Sequence, residues 1–453
     1  MVGMRFYGEG KRLERLVLTK LRHWQQDPQR KPLLLTGAPG VRKTWLLQDW
    51  GKKYFANVAY FNFAAHPEYQ QFFTAPYAVA KAVAQLQLAS TQPIYPEKTL
   101  IILDAIDDCP VVINALPAFR ASAIPYQVVA AARGYGLRQA TWPSGAVEQL
   151  TVYPLTFTEF LHACGDHNLV AYLESINELA PLPDFFFHAL SEKLKMYFMI
   201  GGMPATVAPW AQAQDVVALS AALRALSAAC ERTFLCTPML QDVPKLSLLW
   251  QSIPQQLVRV NKKFNYRGVK VGARAREYAR ALQWLQDTGL VHKVVRAATP
   301  TGPLVAASVA PGFKLYPLDV GLLRHAMQIA PPALMQGEFL FSAFNGALSE
   351  TFVLQSLLPQ YGNEIYYWSQ LNPFYAIDFL LPQDEAVIPL ALKVPAKLAW
   401  RSLNKFKVRA GNVPALRVSL TLANLKMEGD MLTVPLFLVD HLKRLIGMAL
   451  SEL

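Results

Sequence analysis

The 453-residue chain is about three times the length of a typical single domain, which sets an expectation of two or three domains. With 53% hydrophobic and 17% charged residues it is too apolar for a disordered polypeptide. Its 44 Lys+Arg against 32 Asp+Glu leave a formal charge of +12, a statement about anionic partners and not about fold. Cys109, Cys164, Cys230 and Cys236 form no CxxC or zinc-ligand spacing, which excludes a disulfide scaffold and suits a reducing compartment. The opening MVGMRFYGEGKRLERL mixes charge with apolar residues and lacks the apolar core of a signal peptide. Apolar stretches elsewhere break too early to span a bilayer, and the one at 216–230 contains Arg224. A cytoplasmic protein without a membrane segment is expected.

Residues 11–27 predict an amphipathic helix with Leu13, Leu16, Leu18 and Leu21 near one side. An apolar strand at Leu33–Thr36, a Gly/Pro turn and a helical pattern from Lys43 follow. Val58–Phe63, Leu100–Leu103, Tyr126–Ala130 and a segment near Gln149–Val152 are short apolar runs of the kind buried in a parallel sheet. Strands alternating with helices predict a doubly wound parallel α/β domain over 1–160. A helical and winged-helix-like region over 161–330 comes next. Its helix at Ala273–Gly289, stopped by glycine, precedes the strand-like LVHKVV. A smaller α/β domain over 331–453 is expected to hold a helix at Gly346–Leu358 and strands at Glu364–Trp368, Ala376–Leu381 and Val387–Lys393. Ile200-Gly201-Gly202-Met203-Pro204 predicts a tight turn that lets backbone approach closely.

Gly37-Ala38-Pro39-Gly40-Val41-Arg42-Lys43-Thr44 stands between a strand and a helix, where a P-loop stands. That chemistry asks for backbone N–H groups curled around phosphate oxygens, a lysine reaching the β/γ-phosphates and a hydroxyl on Mg²⁺. Gly37, Lys43 and Thr44 meet the pattern GxxxxGK[ST], while Arg42 occupies the second glycine's place. If that place requires a positive φ, the arginine is strained by about 1–2 kcal/mol. Asp104 ends the apolar run Leu100–Leu103, as a carboxylate delivered to a Mg²⁺ shell would. Ala105 follows it, where a hydrolytic glutamate is needed, and Asp107 and Asp108 are expected to point elsewhere. The phosphate and Mg²⁺ parts are present and the general base is missing.

Across LLLTGAPGVRKTWLL, VAYFNF, TLIILDAIDDCP, TVYPLTFTEFL, YFMIGGMPATV, FKLYPLDVGLL and YAIDFLL…PLALK, the chain resembles the prokaryotic AAA-type ATPases that fuse a P-loop domain to a C-terminal domain of unknown function. The resemblance implies ATP and Mg²⁺ as ligands. It also marks four departures: Arg42 for Gly, Ala105 for Glu, Ala132-Arg133 for a Gly-Ser sensor pair, and Ala146 for a basic hairpin residue. An ATP-binding protein that switches conformation, with hydrolysis weak or absent, is the leading expectation. The alternative is a DNA- or protein-interaction scaffold with a vestigial P-loop.

In the C-terminal part Glu350, Asp378 and Lys393 follow the order of a restriction-endonuclease-like core, where carboxylates hold Mg²⁺. Ala391 and Ala376 stand where further acids belong. Basic residues at 261–266 with Arg274, Arg276 and Arg280 form a basic face of the winged-helix region suited to DNA phosphates, the alternative being an ordinary solvated face. His162, Cys164 and His167 lie close in sequence, no HExxH is present, and no GxSxG elbow is found.

Overall fold

A computed structural model describes residues 15–306, 312–330, 339–370, 375–384, 386–392, 396–409 and 414–453. Lys393, the Pro331-Pro332 boundary and the first turn of the expected helix at 11–27 fall outside them. Five strands pair in parallel: Leu33–Thr36 (β1), Asn57–Asn62 (β2), Thr99–Asp104 (β3), Gln127–Ala131 (β4) and Glu148–Thr151 (β5), in the order β2-β3-β4-β1-β5. The sequences LLLT and TLIILD are buried along their whole length. That continuous apolar pattern suits strands covered by helices on both faces. In β5, at the sheet edge, burial alternates between half-buried and exposed. In such a sheet ligands gather at the carboxyl ends of the strands, and the loop 37–42 leaves β1 there.

Helices fill 157–257, and the helix Ala275–Asp287 leads into Val291–Arg296 (β6) and Phe313–Pro317 (β7). These two strands form an antiparallel hairpin, of which the sequence suggested only the first strand. The hairpin is also joined to later residues: β6 pairs in parallel with Tyr366–Gln370 (β8) through Val295↔Tyr366 and Arg296↔Tyr367. With Tyr375–Gln383 (β9), Ala386–Leu392 (β10), Arg417–Thr421 (β11), Lys426–Glu428 (β12) and Met431–Pro435 (β13), it completes a mixed eight-stranded sheet. The sheet therefore runs across the boundary expected at 331. One hydrophobic core extends from Val17 to Ala449, with further clusters on the far faces of both sheets. Among the described residues no helix is long and apolar enough to cross a membrane.

Buried polar groups fix how the regions meet. Glu159 caps its own helix through Thr156 and takes Arg15 (3.2 Å) and the Leu16 amide (2.6 Å) from the first helix. The Asp319 carboxylate accepts from the amides of Gly202 (2.6 Å) and Leu322 (3.0 Å) and from Gln355 Nε2 (3.2 Å). Tyr197 donates to the Leu155 carbonyl and accepts from Gln355 at 2.8 Å. A Cβ on Gly202 would collide with the Leu155 carbonyl, so the expected close approach at 200–204 is made by the chain's own backbone. The exit of the P-loop domain, the helix Asp184–Ile200 and the helix Phe339–Tyr361 are thereby locked together.

Candidate nucleotide site

Gly37 (φ 145°) and Gly40 (φ 87°) curl the loop between β1 and the helix Lys43–Tyr54. Arg42 caps that helix at φ 66°, ψ 43°, in the left-handed region. The position does require a positive φ, and an L side chain there is strained by about 1–2 kcal/mol. Val41 is buried in the core, so the curl is anchored beneath, while Gly40 keeps part of its surface exposed.

Lys43 Nζ donates to the carbonyls of Gly37 (2.7 Å) and Ala38 (3.2 Å), inside the curl. Burial pushes its ammonium down to about 8; Asp107 and Asp104 act against that fall, and Arg133 adds to it. Thr44 Oγ1 donates to Asp104 Oδ2 at 2.7 Å, across the carboxyl ends of β1 and β3, so hydroxyl and carboxylate stand side by side as a Mg²⁺ shell requires. Tyr60 on β2 donates to the same oxygen at 2.8 Å, and the Ala105 amide donates to Oδ1 at 2.9 Å. Tyr60 was not legible as a site residue, because within VAYFNF it is one aromatic among several.

Asp107 corrects an expectation. Ala105 adopts φ 57° and turns the chain so that Asp107 points back into the site instead of away. Its carboxylate accepts from the amides of Arg133 (2.9 Å) and Gly134 (3.0 Å), with the Arg133 guanidinium at 3.5 Å. Asp108 accepts from the Tyr135 hydroxyl at 2.8 Å. Both carboxylates that act on Lys43 are thus committed to fixed donors, and neither is placed as a general base.

The middle region roofs the loop. Met203 and Leu226 stand over Gly40, and the backbone of Gly289 passes so near Ala38 that a Cβ would lie 3.2 Å from its amide. Trp284 meets the Tyr135 ring at 6.1 Å, and Asp287 pairs with Arg138. One end of the helix Ala275–Asp287 therefore rests on both the phosphate loop and the loop after β4.

The protonation of Lys43 sets an expected pH response. Nucleotide affinity should be level around neutral pH and fall by up to about tenfold per pH unit above 8, where the lysine must regain a proton to meet phosphate. Stability without nucleotide should move the other way. The unfolded chain holds this proton to about 10.5, so unfolding takes up protons between 8 and 10.5 and the fold gains as pH rises. Kd and urea midpoints across that range check both signs.

The other candidates are less assembled. Glu350 is buried with both oxygens taken, one by Lys262 and the other by Lys314 and the Tyr316 hydroxyl (2.7 Å). Its two lysines hold it well below the usual carboxylate range. Asp378 accepts from the Leu392 amide at 2.8 Å. Glu350 is thus an ion-pair centre and not a free metal ligand as its motif suggests. His162 and His167 meet at 3.3 Å, yet among the described residues no group of three or more His, Cys, Asp or Glu could hold a metal.

Sheet and loop together define a P-loop nucleotide-binding fold. Residues 29–161, which hold the first sheet, match the family described as an AAA domain. Residues 191–333 and 345–437 match two domains of unknown function, DUF8612 and DUF4143. No curated protein matches the chain. Among solved structures it is similar to the Walker-type ATPase PABY2304 of Pyrococcus abyssi, at 10% identity and a TM-score of 0.41 over 70% of this chain and 96% of that one. RuvB of Thermotoga maritima aligns at 12% identity and a TM-score of 0.30, over 61% and 87% of the two chains. The ORC1 protein of Aeropyrum pernix, solved in complex with DNA, aligns at 12% and 0.26, over 69% and 90%. These superpositions are loose, and the AAA assignment comes from residues 29–161.

Proposed function

We propose that the chain binds Mg·ATP in the loop Gly37–Thr44 and that the bound nucleotide sets the helical region 161–330 against the P-loop domain 1–160, with hydrolysis weak or absent. The observation that carries this is the Thr44–Asp104 pair beside a lysine held in a glycine-formed curl. Lys43 would meet the β/γ-phosphates, the amides of the loop the phosphate oxygens, and Thr44 with Asp104 the metal. Arg133 adds positive charge suited to phosphate. The missing base at Ala105 removes about 10²–10⁴ of rate. In hydrogen exchange, Mg·ATP is expected to protect 133–138 and 284–289 without phosphate release. Unchanged exchange at both segments, or rapid turnover, would overturn the proposal.

A specific observation supports the second reading, a DNA-binding scaffold. Arg259, Lys263, Arg267, Lys270, Arg274 and Arg276 are exposed, and Glu277 is the single carboxylate in 259–277. Their loop opens the helix Ala275–Asp287, in the position of a helix-turn-helix ahead of the β6–β7 hairpin. Salt-sensitive binding to a duplex that survives Lys43→Ala would favour the scaffold. A nuclease-like reading of the C-terminal α/β region is not favoured, because its lysine-paired Glu350 supports a non-catalytic role.

A further inference from the structure

At the amino ends of β1 and β4, the opposite end of the strands from the phosphate loop, Trp24, residues 28–32, Phe119, Arg120, Ser122 and residues 125–128 line a half-open cleft of ≈ 360 Å³. Small-molecule sites begin at about 300 Å³, and β1 alone puts about 13 Å between this cavity and the loop. Arg30, Lys31 and Arg120 line it, and among the described residues no carboxylate does.

Arg30 is held in place by neutral acceptors. Its Nε donates to Gln127 Oε1 at 2.5 Å, and one terminal nitrogen donates to the carbonyls of Gln25 (3.1 Å) and Asp27 (3.0 Å). The guanidinium lies 5.8 Å from the Trp24 ring, and Trp24 is itself fixed by donating to the Lys31 carbonyl at 2.7 Å. Among the described residues the charge is therefore positioned without a counter-ion. Phe119 and Tyr126, in edge contact at 6.5 Å, add flat apolar walls. Burial raises the Tyr126 phenol, which keeps its proton as a donor.

We propose that this cavity binds a small planar anion, a carboxylate or phosphate carried on a flat ring. Uncompensated cations at the wall select the charge, because an anion there meets charge-assisted donors already in place. The aromatic walls select the ring. The site is independent of nucleotide binding at Lys43.

The test is calorimetry on the full chain carrying Lys43→Ala, which silences the phosphate loop, with phenyl phosphate, benzoate and inorganic phosphate as probes. At least one ring anion is expected to saturate a single site, and the stronger of the two identifies the head group. Inorganic phosphate should bind at least about tenfold more weakly, because it lacks the ring. Adding Lys31→Glu and Arg120→Glu, both on the surface rim, should weaken the ring anion by about tenfold or more while leaving the melting temperature in place. No saturable binding of either ring anion at millimolar concentration would overturn the proposal. So would equal affinity for inorganic phosphate, or affinity unchanged by charge reversal.

Discussion

Replacing Lys43 with alanine is expected to weaken Mg·ATP binding by about 100-fold, the effect of truncating one partner of a desolvated charge pair. The apo protein should melt no lower than wild type. The ammonium is confined among loop carbonyls with its proton affinity depressed, so the fold holds it at a cost that alanine removes. A residue serving only structure would show the reverse: lost stability with affinity following it down. Arg42→Gly should tighten binding and stabilise the helix start, since glycine accepts φ 66° without the strain of about 1–2 kcal/mol that arginine bears. Fluorescent-nucleotide titrations with parallel melting curves read both variants. An Arg42→Gly protein that binds more weakly would mean the guanidinium itself holds phosphate.

The largest stability effect is expected at Asp319. Its buried carboxylate satisfies the amides of Gly202 and Leu322 and the Gln355 side chain. Each buried donor left unpaired costs about 1–3 kcal/mol, so Asp319→Ala should remove roughly 3 kcal/mol or more from the unfolding free energy. Asp319→Asn should fall between, because its amide presents a donor where donors already converge. Urea unfolding measures the series. A loss of under about 1 kcal/mol for Asp319→Ala would show that the junction of the 200–204 turn with the C-terminal helix carries little of the stability.

What the sequence made legible follows from how local each signal is. β1 and β3 were readable because strands buried on both faces are apolar throughout, and the loop between β1 and its helix was readable from glycine, lysine and threonine spacing. Asp107 was misplaced because its direction depends on one alanine in the left-handed region, which spacing does not reveal. Glu350 looked like a metal ligand because its neutralising lysines lie 88 and 36 residues earlier. Of the hairpin β6–β7 only the strand-like LVHKVV was legible; its partner Phe313–Pro317 was not read as a strand. The union of β6 with β8 rests on two residue pairs that no periodicity announces. The strands β11 to β13 and the helices Ala396–Arg409 and Leu442–Glu452 were not read from the sequence, although both helices mix apolar and basic residues at helical spacing. The roof over the phosphate loop is likewise a product of tertiary packing, joining Ala38 to Gly289 and Arg138 to Asp287.

The central claim is that this loop grips a triphosphate while the parts that would split it are absent. Calorimetric titration of the wild-type chain with Mg·ATP, followed by a phosphate-release assay on the same sample, tests it most directly. One saturable site with no phosphate released above background is the predicted result. Absence of binding at millimolar nucleotide, or steady turnover abolished by Lys43→Ala, would contradict it.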